Sequence, residues 1–478
     1  MKRPPLAVDL DGTLVYTDTL HESVLMLIKQ HPLAMLALPF WLMRGKAYMK
    51  RRLSDLVTPD PALLPYNTDL VNWLKEQHDA DRDLVLCTAA DQKIADGVAN
   101  HLGFFSAVLG SDGQGNMKGA NKRQILEDRY SKQGFSYAGD TKADLAVWQT
   151  ANSSVIVSNS QSLKKSAQTL CPVEREFPKP KIGLRDIVKL LRIHQWAKNL
   201  LLFMPALAAH QIGEIDLIFT LIMAFFSFSL CSSSVYIAND LLDLESDRCH
   251  PRKRARPFAS GRISIVTGLT MLPVLLTTSA ALALQVGSAF AWTLLTYYVL
   301  TSAYSVLLKR IVLLDCVVLA ALYTLRVIAG AAALSMGVSF WLLALSVFLF
   351  LSLAFVKRFV ELQEVSDNTQ KISLHGRGYY HGDGRFIQML GIAAGFISVL
   401  VLALYIDSTA SEQLYRMPQV VWGGVAVLLY WVSWIWLKAH RGEMHDDPVV
   451  FAITDRVSLV CGLVFGAIVI LGTFGLNL

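Results

Sequence analysis

No two of the six cysteines, at 87, 171, 231, 249, 316 and 461, form a CxxC pair. Their scatter favours reduced, structural thiols and a cytosolic N-terminal domain. A cleavable leader is not expected either: after Met1-Lys2-Arg3 the apolar stretch runs only from Leu6 to Val8 before charge returns. No nucleic-acid-binding motif or long basic helix accompanies the net charge of +6, which excess cations in the loops between membrane spans explain better than a nucleic-acid partner. What the chain does have is apolar sequence, 53% of 478 residues, with a mean hydropathy of +0.41. That value averages two classes. Up to about residue 180 the chain reads as soluble α/β; beyond it apolar runs dominate.

Nine candidate membrane spans follow from the apolar runs: 198–211, 216–239, 263–285, 289–308, 313–334, 338–357, 386–406, 418–438 and 457–476. The first is short, so tilted or partly re-entrant. With the N-terminus inside, the cytoplasmic connections hold sixteen Lys and Arg residues and the opposite ones only Arg416. That bias predicts a multi-pass protein of the inner, cytoplasmic membrane, with the N-terminal domain cytoplasmic and Leu478 on the opposite side. Residues 1–171 form the soluble domain, 172–184 a linker rich in proline and mixed charge, and 185–478 an all-α polytopic membrane domain.

At the end of the second span stand Asn239, Asp240, Asp243 and Asp247. On one continuous helix they share an arc of about 100°, while Glu245 points away. Three carboxylates and an amide on one face suit Mg²⁺ bound to a pyrophosphate. Arg248, His250, Arg252, Lys253, Arg254 and Arg256 follow, ending in Ser260-Gly261. Cations beside a carboxylate patch at a membrane boundary point to a phosphorylated substrate. A solvated polar loop is the plainer alternative, but such loops seldom carry helically phased carboxylates.

In the soluble half, Leu6-Ala7-Val8 runs into Asp9-Leu10-Asp11-Gly12-Thr13. A second strand ends at Thr88, Lys122 opens a helix, and Ser136-Tyr137-Ala138 ends in Gly139-Asp140-Thr141-Lys142-Ala143-Asp144. Strand ends converging on polar residues make the site of an open α/β sheet. The DxDGT pattern, with the later segments in order, resembles the haloacid dehalogenase superfamily, a Rossmann-like fold. The resemblance implies Asp9 as nucleophile forming an aspartyl-phosphate, and Asp11 as acid and then base. Thr88 and Lys122 would bind the phosphoryl oxygens, and Mg²⁺ would sit among Asp9, Asp11, Asp140 and Asp144. Lys118 is the weaker choice for the lysine. The second aspartate suits phosphate esters rather than a dehalogenase.

Residues 20–66 fall where that superfamily inserts a small helical cap. They include Pro32 to Met43, twelve residues too short to span a bilayer, followed by Arg44, Lys46, Lys50, Arg51 and Arg52. Two readings stand: a segment lying at the membrane interface, or a cap packed on its own domain.

The NDxxDxxxD and HPxKxxRPxxSG segments of the membrane half resemble the UbiA-type intramembrane prenyltransferase superfamily, and within it the polyprenyl-phosphate phosphoribosyltransferases, decaprenyl-phosphate phosphoribosyltransferase included. The run Leu191 to Asn199, Tyr304-Ser305, Lys309, Leu325 to Ala331, Lys357-Arg358 with Glu361, Asp447-Pro448 and Asp455-Arg456 also fit that branch. Aromatic-acceptor members carry a second aspartate cluster after the sixth span. Here Lys357-Arg358-Phe359-Val360-Glu361 stands there, with Asp367 and Asp383 too dispersed to replace it.

The resemblance implies Mg²⁺ at Asn239, Asp240, Asp243 and Asp247, and substrate contacts from Lys198, Lys253, Arg256, Tyr304, Lys309, Arg326, Lys357, Arg358, Glu361, Asp455 and Arg456. Arg326, eleven residues after Asp315 and near mid-membrane, either steadies a polar cavity or binds a phosphate. The substrates implied are phosphoribosyl pyrophosphate and a polyprenyl phosphate held in the lipid bilayer. The fused phosphatase would then remove the 5-phosphate, giving polyprenyl-phospho-ribose for cell-envelope glycan synthesis. Two rivals remain: an aromatic-acceptor prenyltransferase using an isoprenyl diphosphate, and a non-catalytic lipid-phosphate carrier or regulator. Lipid length and the oligomeric state, a homo-oligomer included, stay open.

Overall fold

Leu6-Ala7-Val8 is wholly buried and forms β1 (Leu6–Val8), the strand on which the N-terminal sheet is built. In this computed structural model, which describes residues 3–113, 115, 117–211, 214–363, 378–444 and 447–475, six parallel strands follow the order β3-β2-β1-β4-β5-β6. The others are β2 (Leu84–Asp91), β3 (Ala107–Ser111), β4 (Ser136–Gly139), β5 (Ser153–Val157) and β6 (Val173–Phe177). The order runs one way from β1 to β3 and the other way from β4 to β6, so the crevice beside β1 is the topological switch point where such sheets bind ligands. Residues 173–177, expected inside the linker, instead form the edge strand. Val-Glu-Arg-Glu-Phe buries Phe177 and exposes its three charged residues, a pattern that suits an edge.

The insertion between β1 and β2 is helical, as expected for a cap. It comprises α1 (Thr19–Gln30), a 3-10 turn Pro32–Ala37, a short helix Leu38–Met43, and α2 (Lys46–Leu56). Asp18 caps α1, accepting from the N–H groups of Leu20 and His21.

Contacts divide the chain into two units: Met1–Leu191 with Tyr236–Leu272, and Arg192–Val235 with Pro273–Leu478. The aspartate-rich segment therefore groups with the N-terminal residues. In the first unit, Gly261 has φ +70°, and a Cβ there would lie 2.6 Å from Tyr16 Cβ, so only glycine lets the Ser260-Gly261 turn close on Tyr16.

Among the described residues seven helices are long and apolar enough to cross a membrane, against the nine spans expected. They are Ile215–Leu242, Ile265–Val286, Leu314–Ala333, Phe340–Gln363, His381–Ile406, Pro418–His440 and Arg456–Phe474. Two expected spans account for the difference. Ser288–Val306 is helical but falls outside this set, and 198–211 lies in a 3-10 stretch, Ile193–Phe203, followed by the five-residue helix Met204–Ala208. Within the second unit, Leu314–Ala333 packs against both Ser288–Val306 and Phe340–Gln363. Of the loop cations and acids after the sixth span, Asp367, Lys371 and Arg377 lie outside the described residues.

Candidate active sites

The C-terminal ends of β1 and β4 deliver Asp9, Asp11 and Asp140 to one cavity of about 400 Å³, which residues 89–91 of β2, α1, α2 and the helix α3 (Ala120–Tyr130) also line. Thr88, expected at the end of the second strand, is instead wholly buried within β2, its hydroxyl accepting from the Ala90 N–H, and does not line that cavity. Gly12 takes φ +73°, and a Cβ there would come within 2.4 Å of Asp140 Oδ2. Glycine in the motif thus lets the β1 loop lie against the β4 loop. Lys122, buried on α3, reaches Asp9 Oδ1 at 3.0 Å and donates to the Tyr137 hydroxyl at 2.7 Å. Tyr137 in turn donates to Asp144 Oδ1 at 2.9 Å. Asp144 Oδ2 accepts from the backbone N–H of Asp140 and of Thr141. One buried carboxylate thereby holds the loop that presents Asp140.

Asp9, Asp140 and Asp144 each offer an oxygen within 4.8 Å of the others, a spacing that suits one divalent cation. Asp11, expected among the ligands as well, is outside this trio; its Oδ1 accepts from the Thr19 N–H at 2.8 Å, at the start of α1. Burial pushes the Asp9 carboxyl up to about 6, with Lys122 opposing. Burial and the neighbouring Asp18 push Asp11 up to about 7, which keeps a proton available for a leaving oxygen near neutrality. Burial alone would lower the Lys122 ammonium, but Asp9, Cys87 and Asp144 outweigh it and hold it above its usual range. Lys118 lines the same cavity, yet Lys122 is the lysine that touches Asp9.

Two lysines here were not expected at the site; the sequence places Lys50 only among the cations that follow Pro32 to Met43. Lys50 on α2 lines the cavity and donates to the Ala89 carbonyl, and burial lowers its pKa. Lys179, between two prolines, places its ammonium 2.7 Å from Asp140 Oδ2. Only the chain's return over the sheet brings it there.

In the aspartate-rich segment the helix Ile215–Leu242 stops one residue before Asp243, whose φ of −104° and ψ of 18° leave the helix; a new turn, Leu244–Cys249, follows. The single continuous helix expected is therefore broken. Asp240 and Asp247 still converge: both accept from Arg256 Nη1, at 2.9 and 2.7 Å. Asp243 turns instead to Lys29, at the last turn of α1, at 3.0 Å. The acidic residues thus already gather cationic nitrogens, and this oxygen-rich set suits a hard divalent cation. Lys253 is exposed.

Within the second unit, Asp447 gathers three expected or unexpected partners. Lys198 and Lys357 approach its Oδ2 at 2.7 and 3.3 Å, and the Tyr323 hydroxyl donates to it at 3.0 Å from Oδ1. Burial would raise the Asp447 pKa; Lys198 and Lys357 override it and hold the carboxylate well below its usual range. Arg326 is buried, donating to Asn199 Oδ1 and the Tyr297 hydroxyl, each at 3.0 Å, and to the Leu322 carbonyl at 2.5 Å. Those bonds fit the steadying role. Arg358 is fully buried and pairs with Asp315 and Glu361, which neutralise it inside the protein, leaving no solvent-facing charge for a phosphate. Asp455 caps the helix Arg456–Phe474 through the Ser458 N–H, and Arg456 is exposed. Tyr304 and Lys309 are half-buried at the end of the Ser288–Val306 helix and the turn after it.

The UbiA prenyltransferase family model matches residues 199–453. The chain belongs to the UbiA prenyltransferase family. As a UbiA protein it is similar along nearly its whole length to protein y4nM of Sinorhizobium fredii, 36% identical over 96% of this chain and 89% of that one. It is 30% identical to decaprenyl-phosphate phosphoribosyltransferase of Mycobacterium tuberculosis over 59% of this chain and 92% of that protein. A solved phosphoserine phosphatase, a phospho-aspartyl intermediate analogue, aligns with 40% of this chain and 99% of its own, at 15% identity and a TM-score of 0.27.

Proposed function

We propose that this UbiA-family protein transfers phosphoribose from phosphoribosyl pyrophosphate to a polyprenyl phosphate and then removes the 5-phosphate. The observation that carries the reading is the cation content of its polar clusters. Lys198 and Lys357 meet at Asp447, in a family member whose sequence puts Lys357 where aromatic-acceptor enzymes carry carboxylates. A second phosphate-bearing substrate calls for such groups, and the 30% identity to a phosphoribosyltransferase supports that class.

Asn239, Asp240, Asp243 and Asp247 would hold one Mg²⁺, and Asp9, Asp140 and Asp144 another, each supplying positive charge to a departing or transferring phosphate. In the transfer, the bond from the anomeric carbon to pyrophosphate breaks as an oxygen of the lipid phosphate bonds to that carbon. Arg256 lies beside Asp240 and Asp247 to meet the pyrophosphate. In the hydrolysis, the Asp9 carboxylate attacks phosphorus, Asp11 gives its proton to the leaving 5-oxygen, and Lys122 balances charge on the phosphoryl oxygens. Asp11 then takes a proton from the water that cleaves the aspartyl-phosphate. That residues 1–191 share a unit with the basic loop after Asp247 supports one side for both, and the excess of loop cations supports the cytoplasmic one.

Membranes containing the protein, given labelled phosphoribosyl pyrophosphate and polyprenyl phosphate, test this directly. The expected product is a polyprenyl-phospho-ribose, with one pyrophosphate and one phosphate released per lipid. Transfer of a prenyl group to an aromatic acceptor, or no pentose on any lipid, overturns it.

A further inference from the structure

The cap segment Pro32–Met43 has two apolar faces, and the fold uses one. Ala34, Leu38 and Trp41 pack on the cluster of Leu27, Leu53 and Val57. On the other side Leu33, Leu36, Phe40 and Met43 are 82, 74, 68 and 85% exposed. Their spacing of three, four and three residues sets them in one stripe along the 3-10 turn and the short helix. Four large apolar side chains in a row on a surface are rarely left to water. Arg44 and Lys46 follow directly and are exposed.

The location of the stripe supplies its occupant. Lys29, four residues before it, holds Asp243, the residue after the last turn of the apolar helix Ile215–Leu242. Glu22, about two helical turns earlier on α1, makes a bidentate pair with Arg248, at 2.9 and 2.6 Å, with both side chains buried. The end of α1 is thereby fastened where a membrane-crossing helix emerges. The stripe starts at that boundary, with cations at its far end that suit anionic headgroups.

We propose that Leu33, Leu36, Phe40 and Met43 seat the phosphatase cap in the headgroup–acyl boundary of the bilayer, so that its cavity receives phosphate esters carried on lipids. This rests on the phosphatase reading above for the substrate class, but not for the seat itself. The same cap supplies the cavity wall, through Asp18 and Thr19 on one side of the segment and Lys46 and Lys50 on the other. A lipid-linked phosphate at the interface thus has a short path into it.

The test uses the full chain reconstituted in phosphatidylcholine–phosphatidylglycerol vesicles. Nitroxides attached to Leu36→Cys and Phe40→Cys, in a Cys249→Ser background, should be relaxed by oxygen and shielded from a water-soluble nickel chelate. A nitroxide at Lys132→Cys, on the exposed turn after α3, should behave in the opposite way. Labels at 36 and 40 as open to nickel as the one at 132 overturn the seat. Replacing Leu33, Leu36, Phe40 and Met43 by Ser should cut kcat/KM for a prenyl-phospho-ribose 5-phosphate in vesicles at least tenfold, leaving p-nitrophenyl phosphate hydrolysis unchanged. Equal losses on both esters would overturn the lipid-delivery role. Should wild type ignore the lipid ester while the labels lie in the bilayer, the phosphatase substrate is wrong and the seat stands.

Discussion

The two carboxylate clusters of this chain answer the same need by different constructions. Around Asp9 the carboxylates come from residues 9, 140 and 144, brought together by the sheet, and burial has already pushed Asp9 up to about 6. Around Asp240 the carboxylates are neighbours in sequence, from a helix end and the turn after it, and Arg256 and Lys29 already pair with them. The first cluster stores electrostatic cost that Lys122 and Lys179 offset in part and a divalent cation would relieve further. The second spends its charge on side chains that must yield when a metal and pyrophosphate arrive. A site assembled by tertiary structure is rigid, whereas one written in a loop can exchange partners.

Asp9→Asn would remove the proposed nucleophile and nothing at the other cluster. Phosphatase turnover should fall on the order of 10³-fold or more while pyrophosphate release continues. Lipid mass spectrometry should then find the pentose lipid one phosphate heavier than from wild type. Identical lipids from both would show that the phosphatase acts elsewhere. Arg358→Met tests a buried network that belongs to neither cluster: stranding Asp315 and Glu361 should cost about 3–5 kcal/mol. Thermal unfolding in detergent measures it, and an unchanged midpoint would mean the pair is not buried as described.

Asp243→Asn should slow pyrophosphate release on the order of 10²-fold, with hydrolysis of a soluble phosphate ester intact. Unaltered transfer at saturating Mg²⁺ would remove Asp243 from the metal site. The smallest effect is expected from Lys179→Ala. Deleting the ammonium beside Asp140 leaves a more available carboxylate, so the Mg²⁺ concentration for half-maximal phosphatase activity should drop about threefold. A rise instead would make Lys179 a phosphate-binding group.

Much of the first cluster was legible because each of its acids follows an apolar strand, and the order of motifs implied which strand ends would meet. Lys50 and Lys179 were not legible. One approaches from the cap and the other from just beyond β6, and no local pattern marks either. The aspartate-rich segment shows the reverse limit. Its residues were obvious, yet the assumed single helix breaks at Asp243, and Asp243 and Asp247 part toward Lys29 and Arg256. Arg358 was read as a ligand for phosphate because sequence shows charge but not burial; Asp315, forty-three residues earlier, is what consumes it. The stretch 198–211 was apolar enough to suggest a span, but Pro205 and its short length accompany a 3-10 segment and a five-residue helix.

The edge strand β6 sets a practical limit on dividing this polypeptide. A chain cut at residue 171 would lose Val173–Phe177 and with it the cover over β5, leaving a row of unpaired backbone groups open to pairing with other molecules. It would also lose Lys179 and the carbonyl of that residue, which receives the Asn159 amide at 2.7 Å. Insolubility of such a fragment would then report a missing strand, and would say nothing against an independently folding phosphatase extended past residue 180.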